Sequence, residues 1–488
     1  MAEHLEVELK FDADAGFVLP DLSGLATVGE PVVHELEAVY HDTDGLGLAA
    51  RGLTLRRRTG GTDAGWHLKI PAGPDSKHEH RAPLSDTLPG SLAGLLPAHT
   101  RGREVVPVAT LTTVRTEREL RSPSGQVLAE LADDLVTGTV AGTPGSSSWR
   151  EIEIELVSGD PAFLAEVGAL LRAAGAERAA SSSKLGRLLG SRVERLPSWE
   201  GDSAGDALLR HLAAQVDTLL AYDPKVRLEE FDAVHKMRVA VRRLRSVLAS
   251  GRPLLDREAT DPLQPELRWL AGVLGIVRDA EVLHERFSGR LAELPPGVGP
   301  TDPRWLRRIK KQEKAGYTEV REALSGERYF ALLNALDRLL AVPPLTKRAH
   351  RPAEKELRKL VRRSWRRLER AHDAIGAAPT KETADEARHE TRKAAKRVRY
   401  TADATREVLG KDAKEVSQAA KSLQEVLGRF QDGVIAQERL LDVQPSAKRE
   451  AFVLGVLYGL EHCEAERAVG EIEDAWAAAR ARALPRLG

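Results

Sequence analysis

Glu6-Val-Glu8-Leu-Lys10 sets two carboxylates and an ammonium at alternate positions, so on an extended strand all three share one face. Glu151-Ile-Glu153-Ile-Glu155-Leu156 does the same with three carboxylates against three apolar residues. Between these two segments Arg56 and Arg58 share a face, and so do His67 and Lys69. A sheet with one face in water also alternates, but here the polar faces are specialised, some acidic and others cationic. Clustered carboxylates repel unless a hard cation neutralises them, and glutamate oxygens suit Mg²⁺ or Mn²⁺. Arginine forks and lysine point charges opposite such a cation are what a phosphate chain requires. Turned inward in a closed sheet, these faces make a charged tunnel. His67 reads as a ligand-facing hydrogen-bond donor or a satisfied core histidine rather than a catalyst.

A second constellation occurs twice. His235, Arg238, Arg242 and Arg245 step by 3, 4 and 3, which puts them in one row on a helix. His389, Arg392, Lys396 and Arg399 repeat the row 154 residues later, both copies reading H-x2-R-x3-[RK]-R-x-R. Arg268-x-Leu-x3-Leu-Gly-x2-Arg-Asp279 and Lys421-x-Leu-x3-Leu-Gly-x2-Gln-Asp432 recur at 153. Each basic row flanks an apolar one, Met237, Val241, Leu244 and Leu248 in the first copy. Like charges at i,i+3 and i,i+4 repel by a few tenths of a kcal/mol per pair, roughly 0.2–0.5. Rows that accumulate them twice, with no acid inside, point to a bound anion. The two aspartates are read as structural, each pairing with a helix end or a basic neighbour. The row Arg358, Arg362, Arg366 is read either as an extension of this surface or as an ordinary solvated face.

The elements that must carry these residues divide the chain. Up to about residue 157, short alternating segments broken by Gly, Pro, Asp and Ser predict an antiparallel β domain. Residues 196–204 read as a linker, and from 205 the hydrophobic period changes to that of helices. A Pro-rich break at 342–352 separates repeat halves of about 205–341 and 352–480. An internal duplication packed as two helical bundles about a pseudo-two-fold explains the constant spacing. The formal net charge of zero hides an asymmetry: residues 1–200 carry 20 basic and 29 acidic side chains, and the remainder is the mirror image, at +9. Cys463, the single cysteine, excludes an internal disulfide and a Cys-rich metal site. No apolar stretch approaches the roughly 20 residues of a membrane span, and the expected setting is cytoplasmic.

Residues 1–195 resemble the CYTH, or triphosphate tunnel metalloenzyme, family. The carriers are Glu6-x-Glu8-x-Lys10, Tyr40-His-Asp42-Thr43, residues 55–58, Lys69, Glu79 with Arg81, Glu130 with Asp133 or Asp134, Glu151–Glu155 and Lys184. The resemblance implies an eight-stranded antiparallel tunnel barrel with peripheral helices that binds triphosphates and a divalent metal. Carried over, Glu6, Glu8 and a carboxylate among Glu151, Glu153 and Glu155 hold the metal, with Glu6, Glu8 and Lys10 catalytic. Arg56, Arg58, Lys69, Arg81, Arg115 and Lys184 hold phosphates. One departure stands out: the family usually carries two basic residues two apart near Arg115, yet position 113 is Thr, and Arg118 has the wrong parity.

Residues 205–488 resemble the CHAD family, the conserved-histidine α-helical domain, through both H-x2-R rows and both Leu-Gly ends. That resemblance implies two four-helix bundles and binding of inorganic polyphosphate by His235, Arg238, Arg242, Arg245, Arg268, His389, Arg392, Lys396, Arg399 and Lys421. The expected function is polyphosphate binding joined to Mg²⁺- or Mn²⁺-dependent hydrolysis of tripolyphosphate, the basic half retaining polymer for the acidic half. The alternatives are a non-catalytic polyphosphate-binding module with an inactive tunnel, and a hydrolase of nucleoside or thiamine triphosphates. Polyphosphate or tripolyphosphate is the expected partner. No membrane is expected, and nucleic acid is disfavoured because the rows lack interleaved aromatics for stacking.

Overall fold

The computed structural model describes residues 2–73, 75–194, 197–295, 297–299 and 302–487. Two compact units emerge, Met1–Arg195 and Leu196–Gly488.

The strands of the first unit are β1 (Ala2–Ala13), β2 (Thr27–Val28), β3 (Val32–Asp42), β4 (Thr54–Thr59), β5 (Gly65–Gly73), β6 (Ser76–Pro83), β7 (Val106–Arg121), β8 (Val127–Val140), β9 (Ser147–Leu156) and β10 (Glu177–Arg178). Eight of them form an antiparallel ring in the order β1-β6-β5-β4-β3-β7-β8-β9, closed by β1 against β9. The short β2 and β10 pair with β7 and β1. Closure removes the sheet edges. It also separates the two faces of every strand.

The helices of this unit are α1 (Gly90–Ala93), α2 (Pro97–Thr100), α3 (Pro161–Ala173) and α4 (Lys184–Leu189). The apolar faces of the strands point outward and are buried beneath them. Phe11, Leu131, Ile152 and Ile154 pack with Leu164, Val167 and Leu171 of α3. Leu111, Val136 and Tyr40 instead share the inward parity of Arg115, Asp134 and Arg56, and they pack inside the barrel with Leu185 and Leu189 of α4. The charged residues are thereby turned inside the barrel.

Asp42 fixes the loop after β3. Fully buried, it accepts hydrogen bonds from the backbone N–H groups of Thr43 (2.7 Å), Leu48 (2.8 Å) and Ala49 (2.9 Å). Burial raises its pKa, and the three donors oppose that rise. Asp42→Ala is expected to destabilise the unit by about 2–4 kcal/mol, since it strands buried backbone donors. Urea unfolding of the variant checks this.

The second unit is all helix: α5 (Ala204–Arg227), α6 (Ala233–Ser250), α7 (Arg257–Thr260), α8 (Leu263–Glu293), α9 (Arg304–Leu324) and α10 (Glu327–Ala341) form its first half. The second half is α11 (Ala353–Gly376), α12 (Lys381–Ala404), α13 (Arg406–Leu441) and α14 (Lys448–Leu487). The 40 residues of α14 stand where the first half has α9 and α10, divided at Ser325-Gly326. Across the halves α6 packs on α12 and α5 on α11. Like meets like, as a pseudo-two-fold requires. Buried Glu461 of α14 ties the halves further, accepting from Arg286 (2.8 Å) and Arg290 (3.2 Å) of α8.

Candidate functional site

The barrel encloses a cavity of about 270 Å³ whose wall is mostly charged. Strand alternation delivers Glu6 and Lys10 from β1, Arg56 and Arg58 from β4, Lys69 from β5, and Lys77, Glu79 and Arg81 from β6. Arg115 and Glu117 come from β7, Glu130 from β8, Glu153 and Glu155 from β9, and Lys184 from the first turn of α4. Every tunnel residue expected from the sequence faces this interior or is buried at its wall, Glu8 and Glu151 being 5% and 4% exposed.

The carboxylates fall into two groups. In the first, one oxygen each of Asp134, Glu151 and Glu153 lies within 4.8 Å of the others. Lys184 Nζ sits among the three at 2.8, 2.6 and 2.8 Å. Arg115 forks onto Asp134 at 2.8 and 2.7 Å and reaches Glu153 at 2.7 Å, while Lys10 also pairs with Glu153. In the second group the closing register places Glu8 opposite Glu155, Glu155 opposite Glu130, and Glu130 opposite Glu119. Like charges directly opposite destabilise a sheet. Burial, with Glu6 and Glu8 adding to it, pushes the Glu155 carboxyl up to about 8.

Lys10 (2.9 Å) and Lys77 (2.6 Å) attend Glu8, and Lys69 pairs with Glu6. A second Glu6 oxygen, Oε2, is buried without a hydrogen-bond partner. An orphaned carboxylate oxygen beside a row of like charges suits a hard divalent cation. The Asp134 trio offers the same donor type. The expected metal set is therefore divided: Glu151 and Glu153 come together with Asp134, whereas Glu6, Glu8 and Glu155 gather apart.

Arg56 and Arg58 leave their Nε atoms buried and unpartnered. Burial, reinforced by Arg56 and Arg115, lowers the Arg58 pKa to about 9. Such donors aim at an anion. His67 is engaged within the protein: its ring nitrogens lie 2.9 Å from Glu79 Oε1 and from the Asp63 carbonyl. The Arg115 departure resolves as a charge reversal, because the inward position two residues on carries Glu117. Lys77 and Glu117 are additions to the expected set. Both share parity with named residues, Lys77 with Glu79 and Glu117 with Arg115, and that signal was available in the sequence. Of the adjacent pair Asp133 and Asp134, the second faces the tunnel and the first pairs with Arg150 at 2.8 Å.

In the helical unit the contact of α6 with α12 brings the two basic rows face to face. Arg238, Arg242, Arg392 and Lys396 lie within electrostatic reach of one another. The repeated Leu-Gly-x2-[RQ]-Asp ends hold this seam. Arg238 lies over Gly275, where a Cβ would stand 3.4 Å from its guanidinium, and donates to Asp279 at 3.0 Å. Arg392 lies over Gly428 in the same way and pairs with Asp432 at 3.5 Å. His389 Nδ1 is 2.7 Å from Gln431, and the matching His235 faces Arg278.

Arg245 faces Arg268, and Arg399 approaches Gln424 at 3.4 Å. Lys421 is exposed and pairs along its own helix with Glu425 at 3.5 Å, so its sequence match to Arg268 is not a match of surroundings. Arg358 and Arg362 neither extend the rows nor face solvent freely. They donate to the Arg486 and Leu487 carbonyls at the end of α14, at 3.0 and 2.8 Å.

Family comparison finds two domains in the same order. The CYTH domain model matches residues 4–188 and the CHAD domain model residues 210–441. The chain is a CYTH–CHAD protein. Two uncharacterized proteins of Mycobacterium tuberculosis, strains CDC 1551 and H37Rv, are each 38% identical to it over 504 residues, covering 97% of this chain and 96% of theirs. Among solved structures it is similar to PptA from Streptomyces chartreusis, at 24% identity, 56% of this chain, 99% of that one and a TM-score of 0.46. It is also similar to the CHAD domain from the plant Ricinus communis, at 22% identity, 59% of this chain, 96% of that one and a TM-score of 0.47. No helix among the described residues of the CYTH–CHAD chain is long and apolar enough to cross a membrane.

Proposed function

We propose that the CYTH tunnel hydrolyses short inorganic phosphate chains, tripolyphosphate foremost, with Mg²⁺ or Mn²⁺, and that the CHAD unit binds polyphosphate and keeps it near the enzyme. The observation that carries this reading is the opposition, inside one closed barrel, of partnerless Arg56 and Arg58 nitrogens to the Glu6, Glu8 and Glu155 group. Glu6, Glu8 and Glu155, or the Asp134 trio, would hold the cation. When bound, it supplies Lewis-acid polarisation of a phosphoryl oxygen.

The chain's own residues supply the rest. Arg56, Arg58 and Arg81 form the cationic wall that holds the phosphates and meets charge spreading over the equatorial oxygens. Lys10 and Lys77 keep Glu8 ionised, and Lys69 holds Glu6 in place. Lys184, entering from α4, and Arg115 neutralise the carboxylate trio. A nucleoside would require a face for its base, and the wall offers only His34, Leu36 and Tyr40 for one among its many charged side chains, Tyr40 with its hydroxyl 3.5 Å from Arg56. This favours an inorganic chain.

Phosphate release by the full-length protein, measured on tripolyphosphate, ATP and thiamine triphosphate, tests the reading. Release is expected with Mg²⁺ or Mn²⁺, fastest from tripolyphosphate, and abolished by chelation. Absence of release under all metal conditions overturns it.

A further inference from the structure

The CHAD unit carries a second concentration of arginines that the paired rows do not include. Two adjoining cavities, of about 400 and 460 Å³, share Arg367, Arg370 and Arg397 in their walls. The larger adds Lys393, and the other adds Arg245, Arg252, Arg268 and Arg363. On α12, Lys393 and Arg397 are one and five residues beyond Arg392. At 3.6 residues per turn this turns them about 100–140° around the helix from the seam. On α11, Arg363, Arg367 and Arg370 step by 4 and 3 and stand in one row.

Arg252 pairs with Asp261 at 2.8 Å, but most of these cations have no counter-charge. Among the described residues no carboxylate lies within ion-pair distance of Arg245, Arg268, Arg363, Arg367 or Arg397. The one acid in the walls, Glu390, is held by Lys393 at 2.7 Å. Burial, with Arg367, Arg252 and Arg245 around it, lowers the pKa of Arg397. A solvated helix face spreads like charges apart. Here guanidinium groups from α6, α8, α11 and α12 converge on one groove, with Arg245 and Arg397 half-buried at its floor and Arg363, Arg367 and Arg370 exposed along its rim.

The track also continues. Arg245 is the last member of the first row, and it faces both Arg242 in the seam and Arg268 at the pocket wall. We propose that this pocket is a second binding site for inorganic polyphosphate, joined to the seam through Arg245 and Arg268, so that one long chain engages both sites. The inference rests on the polyphosphate reading of the CHAD unit and adds to it selection by chain length. A tripolyphosphate fills one site. A long polymer bridges two, and the second contact is made at high effective concentration.

Titration calorimetry on the intact protein tests this with tripolyphosphate and with polyphosphate of about a hundred units, using Arg363→Ala/Arg367→Ala and, separately, Arg242→Ala/Lys396→Ala. The pocket variant is expected to bind long polymer at least tenfold more weakly, with a salt slope shallower by about 1.4, two contacts at roughly 0.7 each. Its tripolyphosphate hydrolysis should be unchanged. Its melting temperature should hold or rise, because repulsion is relieved, whereas a merely structural role would lower it. If the seam variant weakens binding and the pocket variant does not, the second site is wrong and the polyphosphate reading stands. If neither variant matters, that reading fails with it. Poly-adenylate binding as tightly and losing affinity equally in both variants overturns the assignment to an inorganic chain.

Discussion

Glu6→Gln/Glu8→Gln is expected to lower tripolyphosphate hydrolysis by a factor of at least about 10²–10³, the range that loss of one electrostatic contact to a developing charge produces. The two side chains lie at the closing seam of the barrel, and Glu8 stands opposite Glu155. Removing both charges takes the Glu8 carboxylate from Lys77 and leaves Lys10 and Lys69 with Glu153 and Glu79 alone. A cation then meets ammonium groups where it had met carboxylates. A second readout separates this from a fault in folding. A ligand that binds the native state at a hundred times its Kd stabilises it by about 2.7 kcal/mol. With the cation held by Glu6, Glu8 and Glu155, Mg²⁺ or Mn²⁺ should therefore raise the melting temperature of the parent protein and not that of the variant; an equal rise in both proteins places it at the Asp134 trio. Equal phosphate release from both proteins would remove catalysis from the proposal and leave a binding tunnel.

The interior of the tunnel was legible because a strand's parity is absolute. Once Glu6, Glu8 and Lys10 share a face, closure decides only whether that face turns in or out, and the buried Phe11, Ile152 and Ile154 turn it in. The same parity separates adjacent candidates: Asp134, not Asp133, stands an even step from Glu130, and it is the one opposite Arg115. The division of the carboxylates into two groups depends instead on register between strands, which no single strand encodes.

In the helical unit the duplicated rows were visible because two motifs kept one spacing. The arginines of α11 were ambiguous for a different reason. Arg358, Arg362, Arg363, Arg366, Arg367 and Arg370 contain two interleaved rows of the same period. Which row is covered depends on where the end of α14, some 120 residues away, comes to rest.

Polyphosphate affinity is expected to fall as pH rises from about 6.5 to 8.5, by up to about tenfold per unit, and Lys396→Arg should abolish that dependence. Lys396 is the lone lysine in the seam. Burial, followed by Arg242 and Arg392 and then Arg238, pushes its ammonium down to about 6, with Asp432 opposing. Above that pH the free protein carries it largely neutral. A polyanion laid along the seam favours the charged form and raises its pKa, so binding takes up a proton. Each pH unit between the free and bound pKa values then weakens binding by at most about 1.4 kcal/mol per proton. Below pH 6 the lysine is charged in both states and contributes no slope. Burial and Arg278 hold His235 below its usual value, and the slope that Lys396→Arg removes is the share owed to Lys396. Arginine at position 396 remains charged throughout. It should bind polymer more tightly than the parent above pH 7 and equally at pH 5.5. Calorimetry in buffers of different ionisation heat reads the proton directly. A parent protein that takes up none at pH 7.5, with the same affinity at both ends of the range, would show that Lys396 lies outside the bound chain's field.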